Sequence, residues 1–515
     1  MQHFTRRGAA RHMLISDGVR ASAGRTPDKV AIRESGRELT YARLVDRIGR
    51  VANLVHAGLG LRHGERAAVL SANCLEYIEI VCGMAEAGVA AATIGPAAAP
   101  PEIRFICEDS GARVMFVSAA LEEAARAAAP PSVERFVVIG PAYEALLAKA
   151  ASSPCPVDVS EEDIFSVPYT SGATGRPKGV LLSHRGRVLS AFAMAAEHGC
   201  YTNRDRAVAT TPMFHGAGFL MAITPIWFGG QVEILPRFDV ESLMGTIASN
   251  QATSAYIVPA HFAALFALPD SKRAQWDMRS MKAAISGTAP LPQALKERIV
   301  SYFGEGVLYE RYGTTETSIA TSLGPQDQLR KIACVGMPYP ATQVRVCDEA
   351  GNEVPRGEAG ELWVCSPYQF SGYLNMPEAT AAGRRGDWFV TGDIARQDEE
   401  GYVYLVDRKN DMVISGGENI YPREVEEVLL GHPAVAECGV TGAPHPYWGE
   451  AVTAFVVLRP GMQVAAEELG ALCRDRLSRY KVPKEIRFVA ALPRNSMGKV
   501  LRRELRATLA AEARG

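Results

Sequence analysis

The 515-residue chain has no charge excess of either sign: 55 Lys and Arg stand against 57 Asp and Glu, a formal net charge of −2. That argues against affinity resting on nucleic acid phosphates or acidic lipid surfaces. The ten cysteines, scattered from Cys74 to Cys473, form no CxxC pair and no cluster with histidine. This speaks against a zinc ribbon and a dense disulfide framework, and a reducing, cytoplasmic setting is expected. Long apolar runs are missing too. The longest uncharged stretch, Ala207 to Val232, is broken by Pro212, Pro225 and four glycines and contains His215, so it reads as buried core and no transmembrane segment is expected. The basic N-terminus, MQHFTRRGAARHM, lacks the apolar centre of a secretory signal and reads as a frayed start. No repeat with a period of about 20–50 residues recurs, which argues against a solenoid or propeller.

What remains is ample material for a large core, with 47% hydrophobic and 22% charged residues. At roughly 150 residues per domain the length suggests about three folding units. Short apolar runs (Arg66–Leu70, Arg113–Val117, Arg135–Ile139, Ser254–Val258) alternate with stretches of helical spacing such as Tyr41–Ala57 and Leu75–Ala87. Alternation of this kind predicts α/β layers with largely parallel sheets. Ala119–Pro131 is Ala-rich and reads as a surface helix. From about Pro325 the texture changes to short strands and turns (Gln343–Cys347, Gly360–Cys365, Gly401–Asp407). Beyond Arg408 a compact α+β run follows: a helix at Pro422–Leu430, strands Val435–Thr441 and Ala451–Leu458, then a helix carrying Leu469, Leu472, Cys473 and Leu477. The expected division is 1–170 and 171–325 as two α/β subdomains, 326–409 as a β-rich one, and 410–515 as a C-terminal domain.

The most informative segment is Tyr169–Val180, YTSGATGRPKGV. Gly172, Gly175 and Gly179 free the backbone to fold around an anion, Thr170, Ser171 and Thr174 add hydroxyl donors, and Lys178 adds positive charge. It is not a Walker A loop: no GK[ST] occurs, and β-forming Val180–Leu182 follows. A plain glycine-rich hairpin turn needs far fewer special residues.

This loop resembles the phosphate loop of the acyl-adenylate-forming enzymes, YTSGTTGxPKGV, departing only at Ala173. That superfamily includes acyl-CoA synthetases, peptide-synthetase adenylation domains and firefly-type luciferases. Further motifs follow in the family's order from Leu39-Thr40-Tyr41 to Lys499. Gly287, Thr288 and Ala289 lie in a segment like the adenine-side loop. Glu310-Arg311-Tyr312-Gly313-Thr314-Thr315-Glu316 resembles the segment in which the Tyr stacks on adenine, Thr315 contacts phosphate and the Glu holds Mg²⁺, a hard ion that takes oxygen ligands. The resemblance implies that Thr170 joins Glu316 at the metal, that Glu310, Arg311, Gly313 and Thr314 belong to the nucleotide site, and that Asp393 and Arg408 hold the ribose. It also implies that Lys499 offsets the repulsion between a substrate carboxylate and the α-phosphate. In Ser415-Gly416-Gly417-Glu418-Asn419-Ile420-Tyr421-Pro422, Gly416 and Gly417 match the CoA-ligase version of the family and would line a pantetheine tunnel. The pivot residue of the family, usually Asp or Lys, is here Asn410.

The implied protein is an α/β enzyme whose large N-terminal domain combines two α/β subdomains with a small β-barrel-like one, followed by a small mobile α+β domain. The implied activity is a carboxylic acid–CoA ligase using ATP, Mg²⁺ and coenzyme A on a small-molecule acid, as monomer or homodimer. His215, after Phe214, resembles the family's gate to the acyl pocket and enters the catalytic set with Glu316 and Lys499. The apolar or small walls expected there (Phe214, Gly216, Ala217, Val258, Ile319) favour a fatty, aryl or other apolar acid. Against this, Arg311 resembles the arginine that pairs the distal carboxylate in malonyl-CoA synthetases, though a pairing with Glu316 would also explain it. Loading of a separate carrier protein is a weaker alternative, and a nucleotide-binding scaffold without catalysis the weakest.

Overall fold

The computed structural model describes residues 13–171, 177–408, 411–415, 418–445, 447–494 and 500–512. Two large sheets dominate it. In one, strands Arg66–Leu70, Ala90–Ile94, Val114–Ser118, Arg135–Ile139 and Ile164–Ser171 are all parallel, and Pro177–Ser183 adds an antiparallel edge closed by Gly372–Tyr373. In the other, Val30–Glu34, Arg206–Ala209, Gln231–Ile234, Ser254–Tyr256, Ala283–Ser286 and Leu308–Tyr312 run parallel, flanked by antiparallel Arg37–Thr40, Thr321–Leu323 and Met337–Pro338. The apolar strands Ala90–Ile94 and Ala283–Ser286 are buried along their whole length, as strands covered on both faces must be.

The sheets exchange strands across residue 170. Val30–Thr40 joins the sheet built mainly from 206–338, while Pro177–Ser183 hairpins back onto Ile164–Ser171. Antiparallel strands joined by a short turn pair with each other, so the second arm of the hairpin stays with the first. The uncharged Ala207–Val232 stretch is core as expected: the Gly216–Trp227 helix buries Phe219, Leu220, Met221, Ile223 and Ile226. The predicted Tyr41–Ala57 helix is α-helical only to Asn53 and continues as a π-helical turn over Leu54–Gly58.

Antiparallel strands Gln343–Cys347, Gly360–Cys365, Trp388–Gln397 and Val403–Arg408 form the smaller β-rich sheet, with Val346, Leu362, Val364, Ala395 and Val403 in its core. The C-terminal unit pairs Val435–His445 with Gly449–Leu458 under helices Pro422–Leu430, Ala466–Arg476 and Arg502–Glu512, around Val425, Leu429, Val440, Val452 and Leu469. At its junction with the rest of the chain, Arg502 lies 3.7 Å from Asp407, 3.1 Å from Asp411 and 2.6 Å from Glu426. One guanidinium thus ties together acids on both sides of the connection.

Candidate active site

The loops singled out in the sequence share one topological position. Ile164–Ser171, Arg206–Ala209, Ala283–Ser286 and Leu308–Tyr312 are parallel strands. The phosphate loop, the His215 segment, Gly287–Ala289 and Gly313–Glu316 each follow the carboxyl end of one of them. In open parallel sheets ligands bind at the carboxyl ends of the strands, so the placement is the one a binding site needs.

In the phosphate hairpin Thr170 faces Lys178 in register, and Tyr169 is fixed by a 2.8 Å hydrogen bond from its hydroxyl to Asp109. Gly172, Ala173, Thr174 and Gly175 lie outside the described residues, as does the side chain of Ser171. Lys178 Nζ sits 4.9 Å from the centre of the Tyr373 ring, and the Tyr373 hydroxyl donates a 2.8 Å hydrogen bond to Glu316 Oε1. Burial, with the Glu316 charge beside it, pushes the Tyr373 hydroxyl far above its ordinary range, so it remains a donor. Loop lysine and acidic residue are therefore joined through one aromatic ring. Among the described residues no group of three or more His, Cys, Asp or Glu side chains forms a metal cage. A Mg²⁺ held by one carboxylate together with phosphate oxygens does not require one.

The loop after Leu308–Tyr312 is tightly built. The Thr314 amide donates to Thr317 Oγ1 at 2.9 Å, and the Thr317 amide returns a bond to Thr314 Oγ1 at 3.2 Å. Gly313 is obligatory, because a Cβ there would lie 1.8 Å from the Ser318 carbonyl oxygen. Thr288 (φ +72°) and Ser318 (φ +60°) hold left-handed backbone conformations, each costing on the order of 1 kcal/mol. Such strain collects where surrounding structure fixes a functional loop. The Tyr312 hydroxyl donates to the Asp393 carboxylate, and Asp393 stands in register opposite Arg408, whose side chain lies outside the described residues. Gly287 is closely walled: a Cβ there would come within 2.9 Å of Tyr256 Oη and the Arg311 carbonyl oxygen, whereas Ala289 is half-buried.

Successive strand residues point to opposite faces, which separates Glu310 from Arg311. Glu310 forms a buried ion pair with Lys296 on the Gln293–Phe303 helix. Arg311 is 7% exposed and stacks over Tyr256, its guanidinium carbon 4.4 Å from the ring centre. It makes no ion pair with Glu316, whose carboxylate takes the Tyr373 hydroxyl instead, and has no acidic partner among the described residues. His215 occupies the N-cap position of the Gly216–Trp227 helix without a side-chain capping bond and lies against Phe214 with ring centres 3.9 Å apart. Burial pulls its imidazole down to about 4, so the ring is neutral at physiological pH, and Nε2 has no partner among the described residues.

Two residues beside the site escaped the sequence reading. Tyr373 lies 57 positions from Glu316, and only folding brings them together. Arg187 differs little in sequence from its neighbour Arg185, yet Arg185 pairs with Glu161 at the surface while Arg187 is 5% exposed. Lys499, Gly416 and Gly417 lie outside the described residues, as does Asn410. Flanking the glycine pair, Val413–Ser415 and Glu418–Ile420 are antiparallel partners with Ser415 opposite Glu418.

Known proteins resemble this chain over most of its length. The profile of the AMP-binding enzyme family matches residues 19–374, and that of the AMP-binding enzyme C-terminal domain matches 424–499. A feruloyl-CoA synthase of Amycolatopsis is 36% identical over 484 residues, 93% of this chain and 96% of that protein. A 2-succinylbenzoate–CoA ligase of Geobacillus kaustophilus is 35% identical, covering 93% of this chain and 95% of its own length. ATP-bound MatB from Rhodopseudomonas palustris superposes with a TM-score of 0.86 at 31% identity, covering 93% of this chain and 96% of that one. The chain belongs to the AMP-binding enzyme family. Within it, the protein is an acid–thiol ligase, an AMP-forming acyl-CoA synthetase that uses ATP, Mg²⁺ and coenzyme A.

Proposed function

We propose that the two halves of the site divide the labour of activating an acid and passing it to CoA. The nucleotide half is formed by the phosphate hairpin with Thr170 and Lys178, the Gly287–Ala289 and Gly313–Glu316 loops, and Asp393 with Arg408. The observation that carries this reading is the convergence of Lys178, Tyr373 and Glu316, together with the Tyr312–Asp393 hydrogen bond. Glu316 and Thr170 would hold Mg²⁺, which would supply positive charge to the phosphates, and Lys178 would add its own charge to the same site. Tyr312 offers an adenine platform, and Asp393, a carboxylate acceptor, suits a ribose hydroxyl pair.

A carboxylate oxygen of the acid attacks the α-phosphorus, releasing pyrophosphate; the CoA thiol then attacks the acyl carbon, and AMP leaves. In this reading Lys499 offsets the repulsion in the first step, and Gly416 and Gly417 serve the CoA arm in the second. His215 stays uncharged beside the reacting carboxylate, so it adds a wall and a hydrogen-bonding nitrogen without competing for the acid's charge.

For the acid itself, Phe214, Gly216, Val258 and Ile319 fit an apolar body of fatty or aryl type. The buried, acid-free Arg311 favours the second reading, an acid with a second charged group. Release of AMP from Mg·ATP in the presence of CoA, measured across acetate to palmitate, benzoates, cinnamates and short dicarboxylates, tests both. Acid-dependent AMP supports the ligase assignment. ADP as product, or AMP release indifferent to every acid, would overturn it.

A further inference from the structure

Arg187 stands out among the buried charges of the large domain. Two other deeply buried groups there are paired with an opposite charge: Glu79 with Arg47, and Lys296 with Glu310; among the described residues Arg311, like Arg187, is not. Arg187, on the His184–His198 helix, has no acidic partner among the described residues and makes one protein hydrogen bond, from Nη1 to Ser318 Oγ at 3.1 Å. Ser318 is itself positioned by Ser190, with their oxygens 3.0 Å apart. A guanidinium carries five N–H donors in a planar fork, so most of this one's capacity is unused by the protein.

Its position identifies what the remaining donors face. Arg187 Nη2 lies 3.0 Å from where a Gly216 Cβ would stand, so the guanidinium is pressed against the backbone next to His215. Together with Phe165, Leu182, Met213, Phe214, Gly216 and Phe219 it lines a small cavity, on the side the proposed function gives to the acid. Glycine at 216 is what lets the cation come this close. Burial, with Arg311 adding repulsion, pulls Arg187 down to about 10; it stays charged at neutral pH at a cost the protein does not relieve. A buried cation with a like charge acting on it and no acidic partner among the described residues becomes more favourable when an anion binds beside it.

We propose that Arg187 is a specificity-determining residue that binds a second carboxylate on the acid substrate, opposite the carboxylate that is activated, with Arg311 as the supporting charge. This rests on the ligase reading and narrows its substrate class to compact dicarboxylic acids, aliphatic or carried on an aryl ring. The feature belongs to this chain's own packing: a buried arginine, a glycine that admits it and a left-handed serine that orients it.

The test compares each diacid with its own monomethyl ester, which keeps shape and removes one charge: malonate, succinate, glutarate and 2-succinylbenzoate, assayed by CoA-dependent AMP release. Wild-type enzyme is expected to prefer one diacid over its ester by at least ~100-fold in kcat/KM, the scale on which a charge-pairing site rejects an analogue lacking the partner. Arg187→Leu should lower the diacid by ~100-fold, mainly through KM, and leave the ester within about 3-fold, with ATP affinity by calorimetry unchanged; Arg187→Lys should recover part of the loss. A wild-type preference for the esters or for plain monocarboxylates overturns the proposal, and needs no variant to fold. Equal loss on diacid and ester in Arg187→Leu also overturns it, leaving Arg187 as support for the Ser318 loop. If no acid of any class yields AMP, the ligase reading fails instead.

Discussion

The proposed nucleotide side and the proposed acyl side of the site keep their charges in opposite ways. On the first side, polar groups are bonded to one another: Tyr312 to Asp393, Tyr373 to Glu316, Thr314 to Thr317. On the second, Arg187 and Arg311 are buried with no acidic partner among the described residues, and His215 is held neutral with Nε2 unpartnered among those residues. The first arrangement is preorganised for a ligand common to the whole family, since ATP is the same whatever acid is used. The second is incomplete without its ligand, and incompleteness of that kind is where selectivity resides.

The sharpest way to break this contrast is to disable the step that both halves serve. Lys499→Ala should slow acid-dependent ATP–pyrophosphate exchange by ~10²–10³-fold, as loss of one transition-state charge partner does, while transfer of a supplied acyl-adenylate to CoA is far less affected. Equal loss in both half-reactions would show that Lys499 is not confined to adenylation. Asp393→Ala comes next: KM for ATP should rise by about 10–100-fold, by the same factor for every acid tested, because the nucleotide half does not see the acid. A change in the ranking of acids would break the division between the halves. Tyr373→Phe removes one hydrogen bond to a carboxylate and should cost about 5-fold, seen as a higher Mg²⁺ requirement.

A separate expectation concerns stability, away from the site's two halves. Burial pulls His184 down to about 4 and His198 to about 3, from an ordinary 6.5. The unfolded chain therefore binds more protons than the folded one below pH 6.5, and stability is full above that value. It should fall on the order of 1 kcal/mol per histidine per pH unit on going from pH 6.5 toward 4. Thermal scans of His198→Asn, if that variant folds, should show a shallower pH dependence than wild type; an unchanged slope would contradict the linkage.

The same division governs what could be read from the sequence. The nucleotide loops are contiguous motifs, so Tyr169–Val180 and Glu310–Glu316 announced themselves, and strands such as Arg66–Leu70 and Arg135–Ile139 fell at the predicted residues because apolar runs of that length have few alternatives. Tyr373 and Arg187 could not be seen, because their meaning lies in long-range partners: a carboxylate on a loop of the other sheet and a glycine 29 positions on that admits the guanidinium. The exchange of Val30–Thr40 and Pro177–Ser183 between sheets was hidden for a related reason, since pairing partners are chosen by topology and composition does not record them.

The central claim is that an acid is activated on the α-phosphate of ATP and then handed to CoA. Oxygen transfer tests it most directly, with the acid labelled with ¹⁸O in both carboxylate oxygens and the AMP analysed by mass spectrometry after turnover with Mg·ATP and CoA. Attack by the carboxylate followed by departure of AMP from the acyl carbon predicts AMP carrying one ¹⁸O atom. Unlabelled AMP, or ADP in its place, would contradict the account.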